Sequence, residues 1–325
     1  MLFTIKDENY EYIPIQYNIA WTGEQKTYSD IMVKKEFIND LAENCSDRRK
    51  IYIWDFCNMT FIMDRGFQGI FNELSEKKCN VLLMNVMVGS SLSNAIEVEI
   101  VQCHVKRLLI DCSNECFFIG EEGMGNFPID IIRQIHMNYI NRIVQSQCLD
   151  YGNRYLVSSG IYSNMQINLK YLFEDVVNFS YIIYLIWLKV CNDQFDAIIA
   201  TSKNGVAFAS ILGEVIGCRV HYFNIGQMFE ETYNYSPIIE QGKRYLHIYD
   251  MICLGSETKV LNALVSAQGG NIYKSVGIVC LSDLDIVFRK NRYSALNRVD
   301  CLVGQRDMRV DYTIYLKNPE DKTYE

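Results

Sequence analysis

The sequence is short of proline. Four prolines in 325 residues leave no room for a long stiff linker and favour compact elements joined by short turns. It is also short of positive charge: 31 Lys and Arg stand against 39 Asp and Glu, a formal charge of −8. Coating nucleic acid or an anionic membrane needs a basic footprint, so both classes are disfavoured. Two short basic runs, Arg48-Arg49-Lys50 and Arg289-Lys290 with Arg292, read as solvated surface. No apolar run has membrane length. The longest, residues 181–188, is far below the roughly 20 residues a spanning helix needs and reads as a core helix. Met1-Leu2-Phe3 passes at once into charged positions, without the apolar stretch of a secretory leader.

Cysteine is plentiful, but metal-type spacing is missing. The twelve cysteines include Cys79, Cys191, Cys218, Cys253 and Cys280 on apolar stretches, the pattern of free buried thiols in a reducing cytoplasm. The closest pair, Cys112 and Cys116, is spaced wider than a zinc knuckle, and His104 is the nearest imidazole. That set is too small for a zinc site.

What is present is an ordinary globular balance, 49% apolar and 22% charged, with length for two domains. Residues 10–15 suggest β structure and residues 31–41 a helix. Residues 51–56 read as a buried strand, 67–74 as a helix with its apolar positions on one face, and 81–86 as a second strand. Such a βαβ unit makes the two strands parallel. Residues 105–110 and 115–119 read as strands paired around a turn. Residues 129–147 carry a helical apolar stripe, and the domain boundary is placed at its end. The expectation is an N-terminal α/β module, 1–147, followed by a mostly parallel-sheet domain, 148–325. The stretch Ile53-Trp54-Asp55-Phe56-Cys57-Asn58-Met59-Thr60-Phe61-Ile62, a strand ending in an acid before a loop and helix, resembles STAS-like modules. The resemblance implies an interaction or regulatory role for that loop and helix.

The second half alternates more regularly. A long helix is expected over 169–190, then a strand at 195–200, a loop of Thr201, Ser202, Lys203, Asn204 and Gly205, and a helix over 206–216. A strand at 218–223, a long loop at 224–241 and a strand at 243–250 ending in Asp250 follow. The loop 251–258 leads into a helix that Gly269-Gly270 stops, and a strand covers 275–281. Alternation of this kind gives a parallel sheet, with ligands at the carboxyl ends of its strands. The loops 201–205 and 251–258 both run into helix N-termini, where free N–H groups and the helix dipole favour an anion. A phosphate or pyrophosphate ligand is therefore expected.

Three stretches then point to a family. They are Ser159-Gly160-Ile161-Tyr162-Ser163 followed by Gln166-Ile167-Asn168, the loop Thr201 to Gly205, and Tyr249-Asp250-Met251-Ile252-Cys253-Leu254-Gly255-Ser256-Glu257. In order and rough spacing this half resembles the orotate phosphoribosyltransferases, of the type I phosphoribosyltransferases. The resemblance implies phosphoribosyl diphosphate or a nucleotide as ligand, Mg2+ as cofactor with Asp250 as its ligand, and a homodimer. It implies phosphate and ribose contacts from Asp250, Gly255, Ser256, Thr258, Thr201, Ser202, Lys203, Asn204 and Gly205. The alternative for Asp250 is a cap on the following helix, and for Gly205 and Gly255 a turn role alone.

This chain departs from the family pattern where chemistry is concerned. Tyr249 stands in place of the first of two acids, and Cys253 and Leu254 in place of two threonines. Glu257 falls where a hydroxyl helps to hold a 5′-phosphate, and a carboxylate repels phosphate unless protonated or turned away. The long loop carries Glu230, Glu231 and Glu240 and no Lys or Arg, although departure of diphosphate needs electrostatic stabilisation. Lys203 supplies one charge. The expectation is a diverged phosphoribosyltransferase-like protein that binds a phosphorylated ribose or nucleotide, with weak or no conventional transfer and no assigned catalytic residue. The competing expectation is a catalytically silent interaction or regulatory subunit with a protein partner. Fusions of this domain to small α/β modules also resemble accessory or effector proteins of bacterial antiviral defence operons, retron systems included.

Overall fold

The run Tyr10-Glu11-Tyr12-Ile13-Pro14 is rich in residues that suit a pleated, packed surface, and it forms a strand buried along four of its five positions. It belongs to the first of two units, Met1–Ile135 and His136–Glu325. The computed structural model describes residues 2–21, 35–57, 59, 69–100, 105–109, 114–120, 130–158, 161–223, 239–253, 255–281, 298–308 and 314–315.

In the first unit the elements run β1 (Ile5–Lys6), β2 (Tyr10–Pro14), α1 (Ile15–Ala20), α2 (Lys35–Asn44), β3 (Ile51–Asp55), α3 (Ile70–Glu76), β4 (Asn80–Met87), α4 (Ser91–Ile100), β5 (Val105–Leu109) and β6 (Asn114–Ile119). The sheet order is β1-β2-β3-β4-β6-β5. The expected βαβ unit is present: β3 and β4 pair in parallel from Ile51↔Asn80 to Asp55↔Met84. The hairpin β5-β6 is antiparallel as read. Trp54, Phe56, Phe71, Leu74, Leu83 and Phe117 centre the apolar core. α4 has no counterpart in the sequence reading, because its run Ser-Leu-Ser-Asn-Ala-Ile mixes small and apolar residues without a clear stripe. The likeness to STAS-like modules rests on the sequence pattern alone. Cys112 and His104 lie outside the described residues; Cys116 is a buried free thiol.

The second unit takes in most of α5 (Ile131–Ile143), within which the division falls. A π-turn, Val144–Cys148, follows. Then come β7 (Leu149–Ser158), β8 (Ile161–Ile167), α6 (Val176–Val190), β9 (Ala197–Ala200), α7 (Lys203–Ile216), β10 (Arg219–Tyr222), β11 (Arg244–Ile252), α8 (Ser256–Ala267), β12 (Asn271–Cys280), β13 (Arg298–Gly304), α9 (Gln305–Met308) and β14 (Ile314–Tyr315). The long helix expected from residue 169 starts instead at Val176. The Asp175 carboxylate accepts the N–H groups of Val177 and Asn178 and so fixes the first turn. Leu169–Phe173 forms a 3-10 turn that buries Leu169 and Leu172. Residues 181–187 of α6 are buried, as a core helix requires. Among the described residues no helix is long and apolar enough to cross a membrane.

Two sheets result. β7, β8 and β14 form a small antiparallel one. The other, ordered β10-β9-β11-β12-β13, is parallel throughout, as the alternation implies. Gly269 takes a positive φ of 84° at the end of α8, the left-handed stop that a side chain resists.

Candidate functional site

The strand β9 is only Ala-Ile-Ile-Ala, buried at every position. From β9 the chain moves to β10 on one side and then returns to β11 on the other. That reversal of winding leaves a crevice outside the carboxyl ends of β9 and β11, the place where open α/β sheets take ligands. The β9–β11 register ends at Ile248↔Ala200. Beyond that pair β9 ends and the chain enters Thr201-Ser202, while β11 runs on to Ile252 and carries Asp250 at the same end of the sheet.

Side-chain hydrogen bonds join the two at this point. Ser202 caps α7, its Oγ accepting from the Gly205 N–H at 3.0 Å, and the same hydroxyl donates to Asp250 Oδ1 at 2.8 Å. Asn204 Nδ2 donates to Asp250 Oδ2 at 3.1 Å, and the Met251 N–H to Oδ1 at 2.8 Å. A carboxylate has about four acceptor positions, so one is left for a ligand. The alternative of Asp250 as cap of the following helix is not what forms: the N-cap of α8 is Gly255, with no side-chain cap. Gly205 does more than serve a turn. A Cβ there would lie 2.7 Å from Ser202 Oγ and 3.2 Å from the Ile248 carbonyl oxygen, so its absence lets α7 start directly against β11. Lys203, the first residue of α7, is exposed.

Beneath the loop runs a buried polar chain that the sequence reading did not single out. Thr201 Oγ1 meets His247 Nε2 at 3.2 Å, and His247 Nδ1 meets Ser275 Oγ at 3.1 Å. Burial brings the His247 pKa down to about 3, so the ring is neutral at pH 7 and uses one nitrogen as donor and the other as acceptor. Its signal in the sequence is a histidine and a serine at positions of neighbouring strands where an apolar residue would ordinarily sit.

The second loop is shorter than expected, since β11 continues to Ile252 and α8 begins at Ser256. Gly255 sits at φ 69°. Ser256 is exposed and Thr258 buried in the first turn of α8. Glu257 shares that turn. Desolvation, and secondarily the Asp250 charge, raise its carboxyl pKa above the ordinary range, with a hydrogen bond from Thr201 working the other way. Exposed as a residue, Glu257 thus keeps its acid group near both loops. Tyr249 does not replace the acid whose place it takes. Its hydroxyl donates to the Asp300 carbonyl at 2.6 Å, and its ring packs so closely on Gly277 that a Cβ there would overlap it. Cys253 is half-buried; Leu254, Ser159, Gly160 and the loop 224–238 lie outside the described residues. Ser163 is buried in β8, its hydroxyl donating to the Met165 carbonyl.

No group of three or more His, Cys, Asp or Glu side chains that could hold a metal occurs among the described residues. Asp250 alone fits a Mg2+ that arrives on a ligand's phosphates, since this ion keeps much of its shell from water and phosphate and needs only one or two carboxylates.

Over 146 residues the chain is 26% identical to the orotate phosphoribosyltransferase of Sulfurisphaera tokodaii, a match covering 44% of this chain and 73% of that protein. No protein-family model matches. Among solved structures, the UMP synthase of Leishmania donovani aligns at 20% identity and a TM-score of 0.43, over 55% of this chain and 39% of that one. The orotate phosphoribosyltransferase of Aeropyrum pernix aligns at 14% and 0.41, over 52% and 96%. The similarity to the orotate phosphoribosyltransferase thus extends over a little under half of the chain.

Proposed function

We propose that the crevice outside β9 and β11 binds a phosphorylated ribose or a nucleotide, with little or no conventional phosphoribosyl transfer. The observation that carries this is Asp250, set at the point of winding reversal and held in one orientation by Ser202 and Asn204. A carboxylate positioned this way, with one acceptor position open, suits a hydroxyl of a ribose. Backbone N–H groups at the starts of α7 and α8 suit phosphate. Gly255, Ser256 and Thr258 supply the second of these starts, and Thr201, Ser202, Lys203, Asn204 and Gly205 the first. Mg2+ carried on the ligand's phosphates would offset phosphate charge; with one acceptor position open, Asp250 would hold either that ion or a ribose hydroxyl.

The same residues account for weak chemistry. Tyr249 is committed to the sheet interior, and Glu257 brings negative charge to the turn where a phosphate would sit. Transition-state charge on a departing diphosphate needs donors and cations, and Lys203 is the one basic side chain of the two described loops.

Calorimetric titration with phosphoribosyl diphosphate, with and without Mg2+, tests the reading beside Asp250→Asn. Binding to the wild type that the substitution abolishes supports it. A folded wild type that binds nothing rejects it. That second outcome favours the alternative of a silent interaction or regulatory subunit, whose supporting observation is that Asp250 already has three internal hydrogen bonds. The narrower form of that alternative, an effector of a bacterial defence operon, is tested by the genes beside this one. Neighbours confined to housekeeping biosynthesis would reject it.

A further inference from the structure

The amino edge of the parallel sheet, opposite the crevice, carries a cavity of about 720 Å³, within the usual size of small-molecule pockets, about 300–1,000 Å³. Strand register fixes its floor. Arg219 of β10 pairs with Ala197 of β9, and Ala197 pairs with Tyr245 of β11. At this level of the sheet a small side chain therefore stands between two large ones, on strands about 10 Å apart. His221, two residues past Arg219, lies on the same face, and its ring meets that of Tyr245 at 6.2 Å between centroids. Residues 193–196 and the turn 216–218 after α7 complete the lining, with Glu240 and Lys243. Glu240 is placed beside Tyr245, whose hydroxyl accepts its N–H at 2.8 Å.

The charges around the cavity are unequally matched. Asp196 accepts from Lys243 Nζ at 2.9 Å and from the Arg244 N–H at 2.8 Å. Asp193, largely buried, accepts from Lys274 Nζ at 2.9 Å and from Tyr273 Oη at 3.1 Å. Both of these acids are thus neutralised by lysines. Arg219 and Glu240 are exposed to the cavity's solvent, and among the described residues neither side chain forms an ion pair. Glu240 acts on Lys243 only as a lesser charge, after Asp196. One guanidinium and one carboxylate of opposite sign are left, on different strands and facing one pocket. The carboxyl end of α7, at Ile216 and Gly217, borders the same space, and a helix dipole favours positive charge at that end.

We propose that this cavity is a second ligand site and that its ligand is a free amino acid in its zwitterionic form. The Arg219 fork suits a carboxylate, which it binds through two parallel hydrogen bonds, and the His221 ring offers a further polar contact on that side. Glu240 and the end of α7 suit the ammonium group. A simple anion would leave Glu240 facing it, and a simple cation would leave Arg219 facing it; a ligand carrying both charges meets both residues. The site lies at the opposite edge of the sheet from Asp250, and the inference is independent of the ligand bound there.

The test uses the full chain, with the free L-amino acids offered one at a time in thermal unfolding and calorimetric titration. At least one should raise the wild-type melting temperature increasingly with concentration. Its amide and its N-acetyl derivative each lack one charge. Each should bind at least about tenfold more weakly, the loss of one charge-assisted contact. These two comparisons need no substituted protein. Arg219→Gln should weaken the amino acid by a similar factor and leave the amide's affinity as it was; Glu240→Gln should do the same with respect to the N-acetyl form. Asp250→Asn should leave amino-acid binding unchanged. Amino acids without effect on the wild type would overturn the proposal, as would derivatives that bind as tightly as the parent or an affinity that Arg219→Gln does not alter. Loss of binding in Asp250→Asn would also overturn it, by assigning the amino acid to the crevice.

Discussion

At the scale of single residues, Gly205 and His247 show how tightly the crevice is built. A methyl group at 205 would press on the Ser202 hydroxyl and the Ile248 carbonyl. Gly205→Ala should therefore cost about 1–3 kcal/mol, the usual penalty for overpacking, seen as a lower urea midpoint, and should weaken phosphoribosyl diphosphate binding with it. A midpoint equal to the wild type would mean that α7 moves away from β11 freely. His247 sets a pH dependence. Unfolded, its imidazole takes a proton below about 6.5; folded, it resists until about 3. Its contribution is present above pH 6.5 and is lost as pH falls from 6.5 toward 3. His136, also lowered to about 3 by burial and by Lys189, acts in the same direction. Urea midpoints measured over that window should fall with pH, and His247→Asn should flatten part of the slope. An unchanged slope would contradict a neutral buried His247.

At the scale of elements, two helices of the second unit are capped by side chains with different duties. Asp175 caps α6 and bonds within its own first turn. Ser202 caps α7 and also holds Asp250. Removing either cap should cost about 1 kcal/mol of stability. Only Ser202→Ala should also lower affinity for phosphoribosyl diphosphate; Asp175→Ala should leave it unchanged. Equal affinities in the two variants would make the Ser202–Asp250 bond irrelevant to ligand. The elements themselves were largely legible. β3, β4, β9 and β11 are apolar runs bounded by turn residues, and α6 carries a long buried stretch. The start of α6 was misplaced because Leu169 and Leu172 mimic a helical stripe, while the Asp175 cap that sets the true start is a local polar signal. α4 was missed for lack of a stripe.

At the scale of the whole molecule, separate apolar clusters serve the two units: one around Trp54, Phe71 and Leu83, another around Tyr245, Leu261 and Val265. Each unit has its own apolar core, so unfolding should not follow a single two-state transition. Leu83→Ala and Val265→Ala should each cost about 2–5 kcal/mol, and in scanning calorimetry each should shift a different transition. One transition displaced equally by both variants would show that the units unfold together.

The sequence by itself determined the alternation of strands and helices, the parallel pairing of the second sheet, and two loops leading into helices, because periodicity and turn residues are local properties. It placed Thr201, Ser202, Asn204 and Gly205 on the first of those loops and Asp250 at the strand end before the second. Only the tertiary structure decided what they do together. The β10-β9-β11 order, which no local pattern encodes, sets the two loops side by side and lets Asp250 bond to Ser202 and Asn204 rather than cap α8. The same holds for His247 between Thr201 and Ser275. A polar residue in an apolar run is visible in the sequence, but whether it finds a partner depends on which distant strands and helices pack around it.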